Sequence, residues 1–353
     1  MLFQTLAVGL AALPAVVHGW WDMGHMFIGE IATQSMAAAD VATVHALLVA
    51  QDDEFPNTHS ITTTAIWPDL LKCNSVVSTY CPSPLQPALN IFDMFHFIAL
   101  PVNASGGGAY KNLTSADVDK LLAEKLDGGA DTFFTKALGT FNSTQSVYAA
   151  IFVTRFYIHA FGDVHQPLHA AAGVSPTFPQ GDNGGNSVYL DAPCAAPSLH
   201  GLWDGGFAHY DKINWSPAFA PDTPSYASLV ANATALLGKY ADEVDPLAFD
   251  ALLDVDYNTF VKAMANNGPA SLLKQVFMRS YDNAHDAVYG GLNTTCTMKN
   301  GKCFVPCPSV AYSARGVETV ERSFVLAGRR LAVILTQFAR QIRALKLVHG
   351  TSY

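Results

Sequence analysis

The chain has 353 residues, of which 50% are hydrophobic, 11% aromatic and 14% charged, and this composition excludes a disordered, collagen-like or coiled-coil protein. Its 20 Lys and Arg residues against 29 Asp and Glu residues give a net charge of −9. Binding of a polyanion would therefore need local cations, supplied by clustered side chains or by bound metals.

The N-terminal residues 1–19 are predicted to be a signal peptide. They hold an apolar run from Leu6 to Val17, which is too short to cross a bilayer comfortably, and they end at the small residue Gly19. No Lys or Arg precedes the run, so a buried N-terminal strand or helix is the alternative. We expect the remaining residues, 20–353, to form one domain.

Sequons and cysteines agree with export. Six Asn-x-Ser/Thr sequons occur, at Asn103, Asn112, Asn142, Asn214, Asn232 and Asn293. Six cysteines suit three disulfides in an oxidising compartment, with the pairing left open: Cys73, Cys81, Cys194, Cys296, Cys303 and Cys307. A metal site at the last three is disfavoured because CxxC pairs are missing. No later apolar segment is long enough to span a bilayer, so we expect a soluble, extracellular monomer without membrane contact.

Helical periodicity dominates the chain and predicts an all-α fold. Apolar residues recur at three- and four-residue spacing in 24–50, 115–139, 145–166, 225–240, 247–264, 269–289 and 317–347. Residues 94–99 and 186–190 are the best candidates for short strands. No linker or charge run divides the chain, so a single compact domain is expected.

The densest chemical signal is the segment from Ile158 to His169. His159 and Asp163 are four residues apart, so a helix would place them on one face, where they can hold one ion together. His165 should point to the opposite side. Pro167 should end the helix near residue 166, which lets His169 turn back toward the same cavity.

Further potential metal ligands lie in four other segments. His200 and Asp204 repeat the four-residue spacing, Asp69 follows Trp-Pro, His96 has apolar neighbours, and His25 follows the predicted cleavage point. Imidazole and carboxylate without thiolate suit a catalytic zinc site. The alternative is that Asp69 and Asp204 cap helices and that the histidines are hydrogen-bonded core groups.

Several of these segments together resemble one family. WWDMGH, IWPD, FHFI, IHAFGDVHQPLH, GGN, LHGLWD and AGRRLAVIL are similar to motifs of the secreted, single-strand-specific zinc nucleases of fungi and plants, the S-one/P-one (S1/P1) nuclease family. They occur in the family's order and span nearly the whole mature chain. The resemblance implies a mostly helical fold with three zinc ions in a cleft.

The resemblance also implies which residues bind metal. Asp69, His96, His159 and Asp163 would hold the first zinc, and His169, His200 and Asp204 the second. The third would take the α-amino and carbonyl groups of Trp20, with His25 and a bridging Asp163. Only cleavage between Gly19 and Trp20 frees that amine. Cleavage one residue later, at Trp21, is the alternative, and an uncleaved precursor should lack the third site.

The implied reaction is hydrolysis of single-stranded DNA and RNA to 5′-phosphorylated nucleotides, with release of phosphate from 3′-mononucleotides. Two close zinc ions can lower the pKa of a water between them toward neutrality. The zinc ions also supply the local positive charge that this acidic chain needs to bind a polyanion. Asp69 could accept a hydrogen bond from this nucleophile. Since the ligands must be deprotonated, activity should fall at acid pH and under chelation.

Three further residues receive substrate roles from the resemblance. Lys72 matches a cation that stabilises the phosphate, unless it is an ordinary surface lysine. Phe97 matches an aromatic residue on which a base stacks, unless it belongs to the core. Asn186 is expected to border the phosphate site, bonded to substrate or to Asp69.

One residue departs from the family pattern. Ala99 stands where family members commonly have an Asp that hydrogen-bonds the base, so weak base discrimination or a shift toward other phosphoesters is expected. A zinc phospholipase C is the first alternative, and a non-catalytic secreted zinc-binding protein is the second. A module that reads duplex DNA is disfavoured by export, net charge and the absence of a basic helix.

Overall fold

The computed structural model describes residues 19–51, 55–74, 80–86, 88–104, 130–265 and 271–348. The apolar N-terminal run, the sequon at Asn112 and most of the predicted helix 115–139 lie outside these residues. The sequons at Asn142, Asn214, Asn232 and Asn293 are exposed, as glycosylation would require.

Helices make up most of the described chain, which confirms the predicted fold class. The α-helices are Asp22–Ser35 (α1), Ala38–Leu48 (α2), Ile61–Thr64 (α3), Trp67–Leu70 (α4), Ala130–Thr140 (α5), Val147–Asp163 (α6), Pro167–Ala170 (α7), Leu199–Asp204 (α8), Pro224–Lys239 (α9), Tyr257–Ala265 (α10), Leu272–Asn283 (α11) and Val310–Ala344 (α12). Asn90–Phe95 and Phe249–Leu252 are 3-10 helices, and Ala284–Tyr289 continues α11 as a π-helix.

Side-chain caps explain where two helices depart from the predicted bounds. α12 begins seven residues earlier than expected because the Ser309 side chain accepts a hydrogen bond from the Tyr312 N–H at 3.2 Å. The Asp256 side chain accepts a hydrogen bond from the Thr259 N–H at 3.1 Å, and α10 begins directly after it. Such caps depend on one side chain each, so apolar periodicity does not reveal them.

The long C-terminal helix α12 organises the core. Its residues Phe324, Leu331, Leu335, Phe338 and Ile342 are fully buried, as their spacing predicts, and the helix packs against α1 and α2. Helix α6 also lies against α12 and is buried along its last three turns. This central position sets the C-terminal end of α6, with its polar side chains, inside the molecule.

Two small sheets complete the fold. Leu100–Asn103 (β1) pairs in parallel with Ala171–Val174 (β2). Val188–Leu190 (β3), Thr297–Lys299 (β4) and Lys302–Val305 (β5) form a three-stranded sheet in the order β3-β5-β4.

The strand expected at 186–190 is therefore present, as β3, whereas the one expected at 94–99 is wrong. The 3-10 helix runs to Phe95, and β1 begins only at Leu100, because Ala99 has φ +53°, which breaks an extended run.

All six cysteines are paired, as predicted. The disulfides join Cys73 to Cys81, Cys194 to Cys307, and Cys296 to Cys303. In the part of the chain that the structure describes, no helix combines the length and apolar character needed to cross a membrane.

Candidate metal centre

Three groups of buried or half-buried His and Asp side chains lie together at the end of α6. They are His25 with His159 and Asp163, Asp69 with His96 and His159, and His169 with His200 and Asp204. Within each group, one donor atom from every residue lies within 4.8 Å of the others. The structure thus brings together every side chain that the sequence suggested as a metal ligand, from segments far apart in the chain.

Asp163 links the first two groups to the third. Its Oδ2 lies 2.7 Å from Nδ1 of His96 and 3.1 Å from Nε2 of His159, four residues earlier on α6. Its Oδ1 lies 3.3 Å from Nε2 of His25 and 3.7 Å from Nδ1 of His169. A carboxylate with neighbours on both oxygens is the arrangement expected of a ligand that bridges two ions.

Backbone carbonyls orient three of the imidazoles. The Nδ1 atoms of His159, His169 and His200 donate to the carbonyl oxygens of Ala65, His96 and Gly184 at 2.6, 2.7 and 2.6 Å. Each bond places the hydrogen on Nδ1, which leaves Nε2 with a lone pair directed into the site. Metal-binding histidines usually carry such a second hydrogen bond, so the arrangement fits a metal.

Buried polar atoms around His25 also fit a metal ion. Both ring nitrogens of His25 and Oδ1 of Asp163 are buried without a hydrogen bond from the described residues. Burial, followed by the neighbouring His159, lowers the pKa of His25 and keeps its imidazole neutral. Buried polar atoms without partners are costly in a folded protein, and a bound cation would satisfy them.

The start of the described chain lies directly on this group. A side-chain carbon built at Gly19 would overlap Asp163 Oδ1, at 1.7 Å, and would be 3.0 Å from His25 Nε2. The Trp20 ring is buried, and its Nε1 donates to the Gly162 carbonyl at 3.0 Å. The Gly19–Trp20 junction therefore lies against two of the residues expected to bind the third zinc.

The carboxylates respond differently to burial. Burial would raise the pKa of Asp69, but the Lys72 ammonium and nearby imidazoles outweigh it and hold the pKa well below its usual value. Burial raises the pKa of Asp204 well above its usual value, only partly opposed by a hydrogen bond from Gln166. Asp204 therefore needs a nearby cation to stay ionised, which again fits a metal.

Two alternatives for single residues are excluded. Lys72 is not a surface lysine, because it is 3% exposed and its Nζ lies 2.7 Å from Asp69 Oδ1. Neither aspartate caps its helix: Asp69 lies inside α4, and Ser198 is the N-cap of α8, which Asp204 ends.

His165 points away from the three groups, as expected. Its Nδ1 donates to the Phe161 carbonyl, and its Nε2 lies 3.0 Å from the buried Arg330 guanidinium.

Phe97 and Asn186 are both half-buried, so each keeps some contact with solvent. Phe97 is half-buried and follows His96 directly; unlike Phe92 and Phe95, it is not packed into the core cluster. Asn186 is half-buried in the loop that includes Gly184, and its Nδ2 donates to the Asn183 carbonyl at 3.1 Å.

Gln166 and Asp93 were not identified from the sequence. The fully buried Gln166 donates from Nε2 to Asp204 Oδ1 at 2.6 Å, and Asp93 lies 3.7 Å from Lys72 Nζ. An amide directly before Pro167, in a segment dense in His and Asp, is a signal that could have marked Gln166. No local pattern marks Asp93, because its partner is 21 residues away.

Comparison with known proteins agrees with this geometry. The model of the family described as S1/P1 Nuclease matches residues 20–340. The chain is 26% identical to Endonuclease 2 of Arabidopsis thaliana over 58% of its own length and 61% of that protein. It is 24% identical to Endonuclease 3 of the same plant over 68% of its own length and 79% of that protein. With the family matched over most of the chain and three metal-compatible groups in the core, this protein belongs to the S1/P1 nuclease family, whose members are zinc-dependent.

Proposed function

We propose that this chain is a secreted, zinc-dependent endonuclease that hydrolyses single-stranded DNA and RNA to 5′-phosphorylated nucleotides. We further propose that it releases phosphate from 3′-mononucleotides, and that residues 1–19 are removed to leave a mature domain at 20–353. The observation that carries the proposal is the buried set of three His/Asp groups, two of which share His159, in a chain of a nuclease family.

The proposed ligands follow the three groups. Asp69, His96, His159 and Asp163 would hold one zinc, His169, His200 and Asp204 a second, and His25, Asp163 and the Trp20 backbone a third. The contact of the Gly19–Trp20 junction with Asp163 supports the third site, since cleavage there would free an amine beside this carboxylate. Zinc ions held in this way would act as Lewis acids toward the phosphate and allow water to act as a nucleophile at neutral pH.

Lys72 and Asp69 would assist the reaction. Although burial alone would lower the pKa of Lys72, the adjacent Asp69 carboxylate raises it, so the ammonium stays charged inside the site. A fixed cation there would stabilise the additional negative charge that develops on phosphate during attack. Asp69, which remains ionised, can accept a hydrogen bond from the attacking water.

Phe97 accounts for the proposed preference for single strands. Its ring is partly accessible beside the His96 ligand, where an unpaired base could stack, whereas a duplex hides its base faces. Asn186, in the loop whose Gly184 carbonyl orients His200, would contact the phosphate. Ala99 offers no hydrogen bond to a base, so we expect weak discrimination among bases.

The test is a substrate comparison with the processed, zinc-loaded protein. Single-stranded DNA and RNA, matched duplexes, a 3′-mononucleotide and phosphatidylcholine are incubated with and without a zinc chelator. Chelator-sensitive cleavage of the single strands to 5′-mononucleotides supports the proposal. Phosphocholine release without nucleotide products would replace it with a phospholipase activity, and inertness of zinc-loaded protein toward every substrate would favour a non-catalytic zinc-binding role.

A further inference from the structure

The outer face of the three-stranded sheet has two neighbouring aromatic rings. Tyr189 of β3 is in register with Phe304 of β5, and their ring centroids are 5.3 Å apart at an interplanar angle of 32°. Both rings are half-buried. The residues that flank them in the strands are buried: Val188, Leu190, Cys303 and Val305. Since side chains alternate along a strand, the two rings lie on the face away from the core.

Two lysines accompany these rings. Lys302 Nζ lies 4.5 Å from the centre of the Tyr189 ring, and Lys299 Nζ lies 5.0 Å from the centre of the Phe304 ring. Lys299 also pairs with Asp191, whereas the exposed Lys302 makes no ion pair with any carboxylate of the described chain. A protein with net charge −9 thus carries two lysines side by side on an aromatic surface, and only Lys299 is paired with a carboxylate of the described residues.

The strand that carries Tyr189 is linked to the metal centre through the backbone. Tyr189 follows Asn186 by three residues, so their Cα atoms are at most about 11 Å apart. Tyr189 also forms a β-bridge with Ser198, the N-cap of α8, and α8 carries the ligand candidates His200 and Asp204. The strand that carries Tyr189 therefore runs beside the N-terminus of the helix that carries His200 and Asp204.

We propose that Tyr189, Phe304, Lys299 and Lys302, here called the sheet platform, bind nucleotides of a single-stranded nucleic acid beyond those at the metal centre. This inference rests on the proposed function. The rings stack on unpaired bases, and the ammonium groups move from the ring faces to phosphates, because an exposed cation–π contact is weak. Four side chains are too few for a stable protein interface but suffice for one or two nucleotides.

Two measurements on zinc-loaded protein test the platform. One is the initial fluorescence anisotropy of a labelled (dT)20 strand, and the other is kcat/KM for (dT)20 relative to that for a thymidine dinucleotide. Tyr189→Ala should weaken (dT)20 binding and lower the kcat/KM ratio about tenfold. Lys302→Ala should lower the slope of log affinity against log salt by about 0.7, which corresponds to the removal of one bond to a phosphate.

Matched controls separate the platform from general damage. Tyr189→Phe keeps the ring and should bind (dT)20 as wild type does. Lys239, the last residue of α9, also lies over an aromatic ring, with its Nζ 5.2 Å from the centre of the Tyr240 ring, but it is not part of the sheet platform. Lys239→Ala should therefore leave both the (dT)20 affinity and its salt slope unchanged.

The platform would be overturned if Tyr189→Ala and Lys302→Ala both bound (dT)20 as tightly as wild type. The proposed nuclease function would still stand in that case, provided that the wild type cleaved the strand. If Tyr189→Ala weakened (dT)20 binding but the wild type cleaved no strand, the platform would stand and the nuclease proposal would be overturned.

Discussion

Gln166 should set the zinc affinity of the group formed by His169, His200 and Asp204. Its side chain is fully buried, its Nε2 donates to Asp204 Oδ1 at 2.6 Å, and its Oε1 accepts from the Leu168 N–H. Gln166→Ala removes the only hydrogen bond that the described residues donate to the Asp204 carboxylate, whose other close neighbour is Nε2 of His200, 3.2 Å from Oδ2. The carboxylate would then be free to rotate away from the position in which it meets zinc.

The size of the effect follows from the role of this hydrogen bond, which orients a metal ligand. Removing such a bond typically weakens metal binding 10- to 100-fold, or about 1.4–2.7 kcal/mol. Burial should make the loss of zinc affinity larger. Burial raises the pKa of Asp204, and the Gln166 hydrogen bond opposes this by lowering it. Without that bond the carboxyl is harder to ionise, so zinc affinity should fall further as the pH is lowered.

The assay is competition for zinc between the protein and a chelating dye, with thermal unfolding followed with and without added zinc. Gln337→Ala is the matched control. Gln337, in α12, is also buried, and its Nε2 donates to the Leu252 carbonyl at 2.7 Å. The substitution should cost stability without changing zinc affinity. A Gln166→Ala protein that binds zinc within twofold of wild type would refute the reasoning.

Three other substitutions test the packing and electrostatics. Ala99→Gly should raise the free energy of unfolding in denaturant by up to about 1 kcal/mol, because Ala99 has φ +53°; a decrease would contradict this. Asp245→Asn should cost about 3 kcal/mol in the same assay, because the buried Arg330 would lose its ion pair, 2.6 Å long. Since Arg330 outweighs burial and lowers the pKa of Asp245 from 3.8, wild-type stability should also decline as the pH falls below about 4, and the variant should decline less. Gly173→Ala should lower the melting temperature, because its new carbon would lie 2.6 Å from Tyr289; an unchanged value would show that the ring can move.

Local spacing accounts for what the sequence could predict about the site. The four-residue separations of His159 from Asp163 and of His200 from Asp204 place each pair on one helical face, and both pairs are 3.1–3.2 Å apart in the structure. Pro167 correctly predicts that the helix stops before it, although α6 ends at Asp163, three residues earlier than expected. Each of these features depends on backbone geometry within a few residues.

Short apolar segments were less predictable because their pattern suits more than one structure. Residues 94–99 form a short, mostly apolar run that suits a strand, yet they form the end of a 3-10 helix and an irregular turn at Ala99. Residues 24–50 have continuous helical periodicity but form two helices, α1 and α2, with a break at Met36. Tertiary packing, rather than local preference, selects these conformations: α1 and α2 pack against α12, and the 3-10 helix packs against α5.

The sequence by itself determined the kinds of ligand, their pairing along helices and the family to which they belong, since these depend on residue identity and short spacing. Only the tertiary structure decided which distant groups meet. The Ala65 carbonyl that orients His159, the Gln166 amide on Asp204 and the Tyr189–Phe304 pair join residues between 38 and 115 positions apart. Such contacts arise where buried helices and strands pack together, and no short-range pattern in the chain encodes them.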